Sequence, residues 1–532
     1  MEPVEIWRDS LRFFLPELTL AAGLLLVILA DLVFRRDRGI AAKVLTVLTL
    51  AGAAFLACLN PLVLREGLFP SIGPEAGMLG TFSGLLAYDA MAVFFRILLP
   101  LVTLLAVVAS FYSRELRGLR TGEFLTLMLA ATLGMVLLAE SQNLLMVFLS
   151  LELVSIPSYV LVAYLRRERA GAEAALKYVL VGAICTGTML YGITLLYGMT
   201  GSYDFQGIRT FLGNVSLAGV DRWTFLVAGL LALAGFGFKV AAVPFHFWAP
   251  DVYTGAPTPV TAFLTVGPKA AGFAAILRFF LMGTAGAENR LMATTGVDWP
   301  TLVAAVAVMT MTLGNLAAFF QSDMKRLLGY SSIAHAGYML MGVVVLGRMD
   351  PASGALYFPG VKAILLYLVV YALMNVGAFL VVILVHERTG SVEISSLAGL
   401  GRSSPFLALA MAVFVFSLMG IPPLAGFWPK WYLLLAVIRE GWYVLAGIAA
   451  LNFVFGLFYY ARILKAMYME SPPLRQPAGE PGALLPAVVP LTIRRLAFLL
   501  VLAVPNLFFL WPLWGPLDRL TTLSAHLLLP GN

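Results

Sequence analysis

The chain has 532 residues, 61% hydrophobic and 12% charged, where a soluble domain carries about 25% charged residues; mean hydropathy is +0.92. This excludes a soluble globular class. The formal net charge of +7 does not point to nucleic acid, because there is no Gly-rich phosphate loop, zinc-spaced Cys/His set or RNA-binding aromatic pattern.

The N-terminus carries Glu2, Glu5, Arg8, Asp9 and Arg12 before the first apolar run, a mixed-charge start unlike a cleaved signal peptide. About fourteen membrane spans then follow, at 16–34, 40–59, 88–112, 121–139, 143–165, 173–198, 223–248, 258–281, 299–320, 327–346, 362–386, 404–436, 442–467 and 493–514. Each is long enough to cross about 30 Å of hydrocarbon as a helix, and only helices suit runs of this length. The expected fold is therefore an all-α polytopic membrane protein, a single membrane domain over 1–532. Cys58 and Cys185 both fall in apolar runs and read as inert buried thiols rather than a disulfide or metal site.

The loops after odd-numbered spans hold most of the basic residues: Arg35, Arg36, Arg38 and Lys43; Arg114, Arg117 and Arg120; Arg166, Arg167 and Arg169; Lys325 and Arg326; Arg388 and Arg402; Arg475, Arg494 and Arg495. The positive-inside rule puts these loops in the cytoplasm and both termini on the outer side. Segment 471–490 is rich in Pro and Gly and reads as an exposed loop before the last helix, 493–514.

Two spans are interrupted. In the seventh, Lys239 is followed by Pro244 within FGFKVAAVPFHFW; in the twelfth, Pro422, Pro423, Gly426 and Pro429 lead to Lys430 within GIPPLAGFWPKWY. Proline removes a backbone donor and clashes with the preceding turn, so each helix should break there, and the freed carbonyls must face protein or a wet cavity. The breaks lie five spans apart. An odd offset reverses direction across the membrane, which is the signature of an inverted repeat, spans 4–8 (121–281) against spans 9–13 (299–467).

The chain has eight lysines. Most arginines lie in loops or near span ends, Arg96 and Arg278 being the clearest exceptions, whereas Lys177, Lys239, Lys269 and Lys430 fall within spans. A desolvated lysine can exchange its proton where arginine stays protonated. Glu152 stands near the middle of the fifth span, where a carboxylate must be paired, and Lys177 on the next span is its expected partner. His246 and His335 can relay protons or serve as hydrogen-bonded polar contacts. Lys43, Lys362 and Lys465, near span ends, read as snorkelling side chains. Asp251 and the run TGAPTP (254–259) should form a tight connection between spans seven and eight, while Glu17 and Asp31 read as interfacial or subunit contacts.

The stretch KVAAVPFHFWAPDVYTGAPTPVTAFL from Lys239 to Leu264, followed by Lys269, and MKRLLGYSSIAHAGYML (324–340) resemble the antiporter-like membrane subunits of bacterial proton-translocating NADH:quinone oxidoreductase, respiratory complex I, a family shared with Mrp-type cation/proton antiporters. PELTLAAGLLLVILADLVF, GMVLLAESQNLLMVFLSLELVSIPSYVLVAY and GIPPLAGFWPKWYLL narrow the resemblance to the N-type branch. It implies a pump module in the bacterial cell membrane, built into a hetero-oligomer beside M-, K-, J- and L-type neighbours and membrane lipids. It implies no cofactor in this chain, flavin and iron–sulfur clusters being expected in partner subunits. It also implies a proton pathway through Glu152, Lys177, Lys239, Lys269, His335, His246 and Lys430, with Glu152–Lys177 as a switchable pair. The competing readings are a sodium/proton antiporter subunit, the equivalent part of a membrane-bound hydrogenase, and a scaffold whose charges serve only assembly.

Overall fold

The structure is a computed structural model that describes residues 10–11, 13–34, 39–59, 79–165, 168–214, 222–284, 298–346, 348–349, 356–471, 474–475, 485–486, 489 and 491–507. In chain order its helices are α1 (Leu15–Val33), α2 (Ile40–Cys58), α3 (Ala90–Ser110), α4 (Thr121–Glu140), α5 (Leu144–Val162), α6 (Arg169–Thr200), α7 (Phe205–Asn214), α8 (Arg222–Val240), α9 (Trp248–Gly255), α10 (Thr258–Thr284), α11 (Trp299–Phe319), α12 (Met324–Val344), α13 (Pro359–Thr389), α14 (Leu400–Ser403), α15 (Pro405–Met419), α16 (Phe427–Arg439), α17 (Tyr443–Met469) and α18 (Ile493–Leu507). Three short antiparallel ribbons complete the described elements: Leu79–Thr81 with Leu86–Tyr88, Arg348–Met349 with Leu356–Tyr357, and Leu474–Arg475 with Leu485–Pro486. The last ribbon falls inside the Pro/Gly-rich 471–490 segment, most of which lies outside the described residues, as do 508–514 of the last predicted span and Arg8, Arg12, Arg35, Arg36, Arg38, Arg166 and Arg167 of the orientation argument.

Among the described residues, twelve helices are long and apolar enough to cross a membrane. They match predicted spans one to eleven and thirteen; predicted span seven is split into α8/α9 and predicted span twelve into the shorter α15/α16. Polar caps set several starts. Asp89 accepts from Ala92 N at 2.7 Å before α3, and Asp323 accepts from Arg326 N at 2.8 Å before α12, each satisfying an otherwise unpaired first-turn donor.

At the centre stand α10, α12 and α13, buried along almost their whole length. They are ringed by helices that expose apolar side chains such as Leu25, Leu29, Leu48, Ile184, Val444 and Leu451, as expected where the surroundings are lipid or another subunit. Van der Waals packing holds such a bundle together, and it favours close backbone approach. The α11–α12 pair shows this: a Cβ on Gly314 would lie 2.5 Å from Ala334 N, and one on Gly337 2.4 Å from Met311 N. Any larger residue at either position would push the helices apart.

The breaks obey the rule that buried backbone groups find partners. Ala241 takes a left-handed conformation, φ +58°, and stops α8. Trp248 then donates from Nε1 to Phe238 O at 3.2 Å, and Val243 N donates to Thr310 Oγ1 at 3.0 Å. Trp248→Phe keeps one aromatic ring but loses the N–H and the volume of the second ring at a buried position, so it is expected to lower the unfolding free energy by about 1–3 kcal/mol, read as a lower midpoint in thermal unfolding. In the second break, Gly420 at φ +83° ends α15, Gly426 N donates to Ser417 Oγ at 3.0 Å, and Ala425 N donates to Asn506 O at 3.0 Å.

Three readings of individual charges are corrected. Glu17 is not interfacial: it is fully buried beside Arg96, because α1 packs against α4 and a guanidinium two helices further along the chain draws it inward. Lys325 is not a free loop cation. It is buried at the start of α12 and donates to Ala256 O at 2.6 Å, which satisfies a carbonyl left open just beyond α9. Asp251, expected with TGAPTP (254–259) in a tight connection, lies instead within helix α9, which covers Trp248–Gly255 before α10 begins at Thr258.

Candidate functional site

Lys239, Lys269 and Lys430 are all buried, and each reaches the interior from a different kind of position. Lys239 is the penultimate residue of α8, immediately before the break, and its Nζ donates to Ser155 Oγ on α5 at 3.0 Å. Its stem lies against α10: a Cβ on Gly272 would be 3.4 Å from both Lys239 Cβ and Cγ. Lys269 stands one turn earlier on the same helix, so the α10 backbone connects the two.

Lys269 Nζ donates to Ser332 Oγ at 2.6 Å and to Ser332 O at 2.9 Å, and lies 5.8 Å from the centre of the Tyr253 ring. Ser332 and His335 are three residues apart on α12 and therefore share a face. His335 Nδ1 is 2.5 Å from Tyr367 Oη, and its Nε2 is 3.3 Å from Tyr460 Oη, which also pairs with Ser331 Oγ. The Tyr338 ring is centred 5.8 Å from the His335 ring and 5.4 Å from Lys430 Nζ. It bridges the two.

Lys430 lies in the first turn of α16, just beyond the second break. Its Nζ donates back to Leu418 O at 2.8 Å and Met419 O at 2.9 Å, two of the end carbonyls that a helix leaves unpaired. It also lies over the Phe453 ring at 5.0 Å, where the negative face of the ring attracts a cation. The side chain passes Gly420 so closely that a Cβ there would come within 2.8 Å of Lys430 Cδ. The helix break, the glycine and the lysine thus form one local arrangement.

The structure does not support the expected Glu152–Lys177 pair. Lys177 is 43% exposed and bonds Glu173, one turn earlier on α6, and Asp251 on α9, at 2.7 Å each. Asp251 also lies 3.4 Å from Arg326 Nη2. The physical reason is packing: α9 lies against α6 and brings Asp251 within reach, and the carboxylate at i−4 adds a second partner. Glu152 is half-buried on α5, one turn before Ser155, whose hydroxyl accepts from Lys239. Lys177→Gln is expected to leave the amount of assembled protein unchanged, since solvent screens a half-exposed pair; quantitative immunoblotting of membranes checks it. His246 is buried in the first break with its ring 4.4 Å from that of Phe247. Among the described residues no hydrogen bond joins it to the three lysines, and its Nδ1 has no partner.

Ser155, Ser332, Tyr338, Tyr367 and Tyr460 were not singled out in the sequence. The one available signal was the i, i+3 spacing of Ser332 and His335. Among the described residues no group of His, Cys, Asp and Glu side chains could hold a metal ion. The site offers amine, hydroxyl and imidazole groups in a closed interior, an arrangement that can hold and pass protons.

The family described as NADH:quinone oxidoreductase/Mrp antiporter, transmembrane, matches residues 141–456. The chain is 41% identical to the NADH-quinone oxidoreductase subunit N of Anaeromyxobacter sp. (strain Fw109-5), covering 97% of each chain. It is similar to a chain in the structure of respiratory complex I from Thermus thermophilus with bound aureothin, with 31% identity, a TM-score of 0.70, and coverage of 95% of this chain and 99% of that one. A chain of the Mrp complex from Dietzia sp. DQ12-45-1b shares the fold, with a TM-score of 0.79 at 21% identity over 98% of each. The bundle, its two broken helices and its central row of lysines are those of a multi-pass membrane protein that belongs to the NADH:quinone oxidoreductase/Mrp antiporter family.

Proposed function

We infer that the chain is the N-type, proton-translocating membrane-arm subunit of a bacterial NADH:quinone oxidoreductase. One observation carries this reading: Lys239, Lys269 and Lys430 form a buried row across the bundle, joined by α10, by Ser332 and His335, and by the Tyr338 ring.

In this reading Lys239 accepts a proton near the first break under the influence of Glu152. Lys269 passes it through Ser332 and His335, and Lys430 releases it at the second break. Tyr367 and Tyr460 hold the two His335 nitrogens and supply hydroxyls for relay. The ion-pair set of Lys177, Glu173, Asp251 and Arg326 beside the first break takes the switching role first expected of Glu152 and Lys177. Such a set has more than one way to pair its charges, as a bistable element requires. His246, within the same break, serves as a proton donor or acceptor at its approach.

The chain itself carries no redox chemistry. Flavin and iron–sulfur clusters belong to partner subunits, quinone reduction supplies the driving force, and M-, K-, J- and L-type subunits are the membrane neighbours. The odd-numbered loops face the cytoplasm and both termini lie on the outer side, as the described basic residues Arg114, Arg117, Arg120, Arg388 and Arg402 favour.

The test uses the purified complex in sealed vesicles free of sodium, with NADH and quinone supplied. Proton translocation should proceed at the rate measured with sodium present. A pump that stalls without sodium contradicts this reading and supports a sodium/proton antiporter.

A further inference from the structure

A second cluster of buried charge lies outside the lysine row, where α1 and α3 begin and α4 and α10 end. Arg96 on α3, Glu17 on α1 and Glu140, the last residue of α4, are all fully enclosed. Arg96 Nε lies 2.6 Å from Glu140 Oε1 and 2.8 Å from Glu17 Oε1, and Arg96 Nη2 donates to Glu140 Oε2 at 3.1 Å. The Nε atom has one hydrogen, and it points at Glu140. Among the described residues neither oxygen of Glu17 receives a hydrogen bond. Glu17 Oε1 and Glu140 Oε1 thus both lie within 2.8 Å of the same nitrogen.

Charge counting sharpens the point. Among the described residues two carboxylates face one guanidinium. Another buried ion pair, Arg278 with Asp89, is joined by two bonds of 2.7 and 2.9 Å, and Arg278 Nε donates to Ala139 O. Among the described residues a further titratable neighbour, Tyr88, presents its ring 5.5 Å from the Arg96 guanidinium. Two ionised carboxylates held on one nitrogen in an enclosed site repel strongly; among the described residues Arg96 Nη1 also has no partner and does not reach Glu17, and sharing one proton relieves the repulsion and gives Glu17 a donor.

We propose that Glu17 and Glu140 share one proton beside Arg96, forming a buried proton-binding site separate from the lysine row. The proton lies between the two carboxyl groups and supplies the donor that Glu17 lacks. It makes the three-residue cluster neutral and holds α1 to the α3–α4 pair.

The test compares infrared spectra of the full complex in native membranes, in H2O and D2O, for wild type, Glu17→Gln and Glu140→Gln. In each single variant the remaining carboxylate pairs with Arg96 and ionises. Each wild-type-minus-variant spectrum should therefore show the C=O band of one protonated carboxyl, moving to lower frequency in D2O. An amide in place of a neutral acid keeps the charge, so both single variants should assemble at wild-type levels. The double variant leaves Arg96 without a counter-ion and should lose assembly. Difference spectra with carboxylate bands only, or single variants that lose assembly as fully as the double, overturn the proposal. The infrared readout needs no turnover, so its failure leaves the transport reading untouched.

Discussion

Lys269→Met is expected to lower proton translocation by about 10²-fold or more while leaving the complex assembled. The methionine stem fills nearly the same volume but cannot carry a proton. The structural cost is small because Ser332, which accepts both Lys269 bonds, lies within α12, where its carbonyl belongs to the helix ladder. The measurement is proton uptake by sealed vesicles per NADH oxidised, together with the amount of complex in the membrane. Wild-type pumping in a well-assembled Lys269→Met complex would remove Lys269 from the pathway.

Lys430→Met should behave differently, and the contrast is the more informative result. The carbonyls that Lys430 holds, Leu418 O and Met419 O, stand at the end of α15, where no following helical turn supplies donors. Removing the amine leaves two buried acceptors unpaired, at about 1–3 kcal/mol each. Translocation should fall as it does for Lys269→Met, and the complex should also become less stable, with a lower thermal midpoint and less material in the membrane. Equal stability of the two methionine variants would mean that Lys430 does not anchor the break.

The spans and both breaks were legible in the sequence, because length, apolar composition and proline act locally. Pro244 and the Pro422–Pro423 pair mark the two interruptions without any knowledge of neighbours. Lys239, Lys269 and Lys430 were legible too, since an amine inside a long apolar run stands out against its surroundings, whereas Lys177 proved half-exposed and the buried Lys325 was hidden among loop charges. Lateral pairing was not. Lys177 was matched to Glu152 because they lie on successive spans, but helix rotation and the placement of α9 decide the partner. Glu17 gave no sign of burial because its partner, Arg96, is 79 residues away in sequence. Ser155 and the tyrosines around His335 were hidden for another reason: hydroxyls are common in membrane helices, and their single-residue signal is weak. The correction at Lys177 moves its partners from Glu152 to Glu173 and Asp251 at the rim of the first break, a change no periodicity argument could have made.

The hydrogens on the two lysine heads have a last consequence. An ammonium has three N–H bonds. Lys269 commits two, to the carbonyl and hydroxyl of Ser332, and Lys430 commits two, to Leu418 O and Met419 O. The neutral amine left after a proton departs still has two. Either side chain can therefore change charge without letting go of its anchors: discharging is a matter of occupancy rather than of swing. In the proposed pathway, what moves between one lysine and the next is then to be sought in the hydroxyls and imidazole, whose rotations are small and need no helix to shift.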